Sequence, residues 1–268
     1  MEFFTILLSA LLGLISPVGV VIDRLAEKTI RSQFAKVGQL EVRVDNCPSY
    51  QVLQGKVERV RIAGRSLQLK RQNVRIALFE LETDAIELDL SSLKHKRPKL
   101  KRPLQAGMRL VLTQQDVNKL LKSTPLIAKL RKLNIDSLGS PNTKTSSGYN
   151  LINPQVNFLA NNRLLFRVEL QEGTGKPLLI RVESGLSIVS GRHIQLVNPV
   201  ITVDGEEVPP QLVNVILNNL NKELDLGNLE GDGLQVRILK LEMKPTELEI
   251  AAFFKIEPSS RFLETRGL

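Results

Sequence analysis

Asp204, Glu206 and Glu207 crowd the segment VITVDGEEVPP, and paired carboxylates at this spacing could serve as an acid and a base. Asp204-Gly205 is also a strong turn signal between apolar runs, which places these carboxylates on a solvated turn instead of in a cleft. His193 follows Arg192 at a second turn, and His95 sits in a basic run. Neither histidine has a nucleophile at a readable spacing. Cys47 is the single cysteine, which excludes an intrachain disulfide framework and a cysteine zinc site. No Gly-x-Ser-x-Gly elbow, phosphate-cradling loop or zinc signature is present. The sequence therefore assigns no catalytic residue, no metal ligand and no cofactor, and points to binding over chemistry.

The residues suited to binding are of two kinds. KHKRPKLKRP, residues 94–103, carries six basic residues, Lys94, Lys96, Arg97, Lys99, Lys101 and Arg102. Pro98 and Pro103 exclude a regular helix, so the run is an extended basic loop. Its charges suit the anionic surface of a membrane, or simply solvation. Nucleic acid is not expected, because no aromatic residues interleave with the charges and no recognised nucleic-acid motif accompanies them. The second kind is aliphatic. Pro209 and Pro210 open a helix whose stripe is Leu212, Val213, Ile216, Leu217, Leu220 and Leu224, with Asn214, Asn218, Asn219 and Lys222 facing elsewhere. That stripe fits an ordinary core or the wall of an apolar groove.

The elements that must position these residues are mostly strands. The chain has 268 residues, 42% hydrophobic and 24% charged, with a net charge of +9 and no tryptophan. This is a globular composition with an aliphatic core and a preference for acidic partners. Residues 1–22 form an apolar segment that carries no charged side chain after Glu2, and Arg24, Lys28, Arg31 and Lys36 flank its far end. Three readings stay open for this segment: an uncleaved anchor, a signal peptide, or an apolar helix packed on the body. As an anchor, its flanking charges would leave the body on the cytoplasmic side. Helical spacing runs from Val18 to Val37, with Gly38 as the stop. Strands are expected at Leu40–Asp45, Gln51–Ala63, Ser66–Lys70, Val74–Glu80, Ala85–Leu90 and Met108–Leu112. Thr113 and Asp116 then cap a helix with Val117, Leu120 and Leu121 on its face. A helical piece at Leu126–Leu133 and a polar loop at 139–148 come next. Alternating strands fill 156–200, two more run from Leu234 to Met243 and from Leu248 to Ile256, and residues 259–268 are expected to fray. Strands this long with one apolar face need covering, and few helices are available to do it. The expected class is α+β, a long curved antiparallel sheet wrapped around a few helices in one elongated domain spanning 23–258.

RLVLTQQDVNKLL, GRHIQLVNPVITVDGEEVPPQLVNVILNNL and the closing strand pair resemble the LmeA-like phospholipid-binding family, over roughly Val18 to Glu257. The resemblance implies a fold like that of the tubular lipid-binding proteins, with sheet and helix enclosing an apolar groove, and it implies export to a periplasm or lumen. On that basis the groove residues are expected to be Ile22, Leu25, Leu212, Val213, Ile216, Leu217 and Leu220. The expected partner is a phospholipid or another anionic lipid, bound without catalysis at a membrane. A membrane-peripheral adaptor with a closed core is the competing reading.

Overall fold

The structure, a computed structural model, describes residues 22–46, 51, 54–70, 74–89, 91, 99–123, 127 and 149–263. It is mostly antiparallel sheet with few helices, and it divides into two compact units. The expected helical piece at 126–133 and the polar loop at 139–148 lie outside the described residues, apart from Ile127.

The first unit holds 1–111, 226–240 and 249–268. Helix α1 (Ile22–Arg31) leads into β1 (Phe34–Asp45). β3 (Arg59–Leu69), β4 (Arg75–Thr83) and β6 (Leu104–Thr113) follow, and β12 (Leu234–Met243) and β13 (Glu247–Ile256) return late in the chain. Together they make a six-stranded sheet in the order β1-β3-β4-β6-β13-β12. Two short strands, β2 (Lys56–Val57) and β5 (Ile86–Glu87), pair separately. Alternation sorts the side chains by face. Val42, Ile62 and Leu81 are buried register partners, whereas Glu41, Ala63, Glu80 and Arg109 line up on the opposite face.

Two expectations fail here for local reasons. The helix stops at Arg31, and Phe34–Val37 belong to β1, because pairing Phe34 with Leu69 buries the phenyl ring. Gly38 is not a stop. It lies within β1, where a Cβ would come within 2.9 Å of the Arg65 carbonyl oxygen. The tail is also tied down as far as Leu263. Ser260 is buried and its hydroxyl donates to the Asp232 carbonyl at 2.9 Å, while Gly233, at φ +78, leaves space for the Ser260 backbone.

The second unit holds 112–225 and 241–248. Its five-stranded sheet runs β11-β10-β9-β8-β7. The strands are β7 (Tyr149–Phe158), β8 (Arg163–Glu172), β9 (Leu178–Val189), β10 (His193–Val203) and β11 (Glu206–Glu207). Helix α2 (Gln114–Leu121) starts with the anticipated capping box, in which Thr113 and Asp116 bond reciprocally. Its polar side chains serve the exposed edge of β7. Asn118 Nδ2 donates to the Val156 carbonyl at 2.8 Å, and its Oδ1 accepts from the Val156 amide at 2.7 Å. Gln114 Oε1 accepts from the Phe158 amide at 2.7 Å. Two side chains thus replace a missing strand, as an edge requires. Helix α3 (Pro210–Glu223) closes the unit, with bounds close to those its prolines and stripe predict.

One turn residue ties several of these elements together. Asn162, at φ 58 in the β7–β8 turn, donates to the Leu186 carbonyl at 2.6 Å and accepts from the Met243 amide at 2.8 Å.

Candidate functional site

Of the carboxylates at the β10–β11 turn, Asp204 serves the fold. Asp204 and Gly205 both have positive φ, 50° and 94°, as a two-residue hairpin turn demands. Asp204 Oδ1 accepts from the Leu179 amide at 2.8 Å, and the Asp204 amide returns a bond to the Leu179 carbonyl at 2.9 Å. That carboxylate fastens the turn to β9. Glu206 and Glu207 are exposed.

His193 and Arg192 likewise hold structure. Arg192 Nε donates to His193 Nε2 at 3.0 Å and lies 3.4 Å from Asp225, and His193 Nδ1 is also 3.4 Å from Asp225. Asp225 lies two residues past the end of α3. The Ile194 amide donates to the Leu224 carbonyl at 3.4 Å, and His193 and Asp225 form an isolated bridge. The polar group is therefore a latch on the C-terminal end of α3. Among the described residues no group of metal-ligating side chains occurs.

The opposite end of α3 is fixed as well, since the Val208 amide donates to the Ile201 carbonyl at 3.0 Å. With both ends tied to β10, the helix runs back along that strand as a strap about 21 Å long at 1.5 Å per residue. Beneath its N-terminal end the packing is closed. Leu151, Val168, Leu170, Ile180 and Ile201 are buried, and Val213 packs against them. Towards the C-terminal end the burial loosens. Ile188 pairs with Ile194 and Leu186 with Leu196 on the strand face that continues Val182 and Ile201. These side chains, with Leu217, Leu220 and Leu224 of the strap, are only half-buried. The result is an aliphatic face whose buried side chains gather towards the N-terminal end of α3, where Phe166, Val182, Val203 and Val208 are half-buried as well. Towards the latch the side chains are half-buried, and Leu186 packs against the buried cluster of Val156, Phe158 and Met243.

The expected binding residues distribute as follows. Val213 is a packing residue, and Leu217 and Leu220 are half-buried on the strap. Leu212 and Ile216 lie on α3, but their side chains are outside the described residues. Ile22 and Leu25 lie on α1 in the first unit, and their side chains are likewise outside the described set. Of the basic run, Lys94, Lys96 and Arg97 fall outside the described residues. Lys99 and Lys101 are exposed, and Arg102 lies 3.4 Å from Glu87. Between the two lysines Leu100 is buried and bridges to Leu88, so this end of the run is pinned in extended form.

Two features escaped the pattern reading. Asn221 occupies the aliphatic stripe of α3, one turn after Leu217, and its Oδ1 is buried with no hydrogen-bond partner. A polar residue at i+4 from Leu217 was the available signal. The other is a charged row across the first unit's sheet. Arg109 Nε donates to Glu249 at 2.8 Å, Arg109 also reaches Glu80 at 3.3 Å, and Lys240 reaches Glu249 at 3.3 Å. Arg109 and then Lys240 hold the Glu249 carboxyl below its ordinary range against the opposing effect of burial, and Glu249 followed by Glu80 raises Arg109. Neighbours on separate strands, 140 residues apart, leave no local trace in a sequence. Glu41, Arg43, Arg61 and Glu82 border an open cleft of about 450 Å³ on the same face.

The model of the LmeA-like phospholipid-binding family matches residues 15–253. No curated protein and no solved structure matches the chain.

Proposed function

Because this chain belongs to the LmeA-like phospholipid-binding family, we propose that it is a non-enzymatic phospholipid carrier that holds an acyl chain between α3 and the inner face of the five-stranded sheet. One observation carries this reading: Ile188, Ile194, Leu196, Leu217, Leu220 and Leu224, towards the C-terminal half of α3, are all half-buried, whereas the cluster at its N-terminal end contains five buried side chains. No reactive residue is required for binding. Eight methylenes removed from water contribute roughly 6 kcal/mol at about 0.8 kcal/mol each, before ordering costs are subtracted. Aliphatic walls discriminate headgroups poorly, so selectivity falls to polar groups at the open end. The basic run 94–102 and the apolar N-terminal segment would bring the carrier to a membrane. Among the described residues no helix is long and apolar enough to cross one.

The absence of tryptophan gives a clean probe. Leu217→Trp places a single fluorophore on the half-buried side of the strap. Phospholipid brominated on its acyl chain should quench that emission on loading, and solvent extracts of the purified wild-type protein should contain phospholipid by mass spectrometry. A folded variant that is never quenched, together with lipid-free extracts, would overturn the carrier reading.

A further inference from the structure

Asn221 is a polar residue on the aliphatic stripe of the strap, and its buried Oδ1 lacks a donor. An acceptor in that position is costly unless something donates to it. On the sheet face that continues Val182 and Ile201 towards this end of the helix, Ile188, Ile194 and Leu196 are aliphatic and offer no side-chain donor. Just past the end of the helix, Asp225 is engaged by Arg192 and His193, so the half-buried end of the face is also its polar end. The buried cluster around Ile180 and Ile201 lies at the other end. A lipid on this face would therefore direct its tail to the buried aliphatic cluster and its head towards the polar latch.

We infer that Asn221 Oδ1 accepts a hydrogen bond from the headgroup region of the bound lipid, and so favours headgroups bearing an N–H or O–H donor. This inference rests on the proposed carrier function. The shared chemistry is the donor, supplied by an ammonium in ethanolamine lipids or by hydroxyls in glycerol lipids. Choline's quaternary nitrogen has no N–H to offer. One net hydrogen bond corresponds to a preference of about five- to tenfold.

The test uses the full-length protein and Asn221→Leu, loaded competitively from vesicles with phosphatidylethanolamine, phosphatidylglycerol and phosphatidylcholine of identical acyl chains. Wild type should favour at least one donor-bearing lipid over phosphatidylcholine by about fivefold, and the favoured lipid identifies ammonium or hydroxyl as the donor. Asn221→Leu should bring the ratio close to one while still loading phosphatidylcholine. A second measurement needs no lipid. Replacing an unpartnered acceptor with an apolar side chain of similar size should leave the melting temperature of the lipid-free protein unchanged or higher. No preference in wild type, an unchanged preference in Asn221→Leu, or a lowered melting temperature would each overturn the assignment. Loading without discrimination would overturn it and leave the carrier reading standing. Failure of every lipid to load would instead overturn the carrier reading on which it depends.

Discussion

At Glu249 a carboxylate whose side chain is only 10% exposed is kept ionised by two cations on neighbouring strands. Its folded pKa is depressed, so the charged form is favoured in the folded state. The stabilisation is then present above the ordinary carboxylate value of about 4.3 and is lost as pH falls through the lower folded value. Glu249→Gln should lower stability by about 1–2 kcal/mol at neutral pH, discounted because Arg109 and Lys240 are half-exposed. Urea unfolding midpoints across pH 7 to 3 check the sign. The gap between wild type and variant should narrow below pH of about 4.3, and a constant gap would contradict the assignment. Nothing around Glu249 in the chain announces this role, since the sequence there, KPTELEIAAFF, reads as an ordinary alternating strand. The reverse holds for Asp204. Its Asp-Gly pair announces a turn, and the turn is what its carboxylate serves.

Elements were legible where local signals and tertiary contacts agree. The capping box at Thr113, the prolines before α3 and the alternation in β12 and β13 each act within a few residues, and the bounds of these elements followed closely. Around Val18–Val37 the local period is helical, yet pairing with β3 draws Phe34–Val37 into a strand. No propensity read along the chain contains that partner. The Asn118 contact is of the same kind, since it joins residues 38 apart. As the stand-in for a missing strand, Asn118 supplies both a donor and an acceptor to Val156. Asn118→Leu should leave the Val156 amide and carbonyl without partners and cost about 1–3 kcal/mol. Hydrogen exchange should then accelerate at Val156 more than at Val168, which lies inside the sheet. Equal effects at both amides would mean that the helix merely packs on the edge.

For the whole molecule, the proposed carrier function would divide two tasks between charge and aliphatic surface. A net charge of +9, with six basic residues between Lys94 and Arg102, acts at long range and is screened within a Debye length of about 8 Å at physiological salt. Apolar contact with the face under α3 would act only at short range and be insensitive to salt. A carrier that docks through charge and loads through apolar contact should therefore lose the two activities independently. Replacing Lys94, Lys96, Lys99 and Lys101 with Gln removes charges that contribute up to about 1 kcal/mol each near an anionic surface. Co-sedimentation with vesicles containing anionic phospholipid should fall at least tenfold, and raising the salt should produce a similar loss in wild type. Lys99 and Lys101 are exposed, so the fold should tolerate their replacement, and Leu100 still anchors the segment through Leu88. The amount of lipid held at equilibrium in detergent-free solution should not change, although the rate of acquiring it from anionic vesicles should fall. If the substitutions instead abolish lipid retention while vesicle binding persists, the basic run belongs to the lipid site itself and the division between docking and loading is wrong.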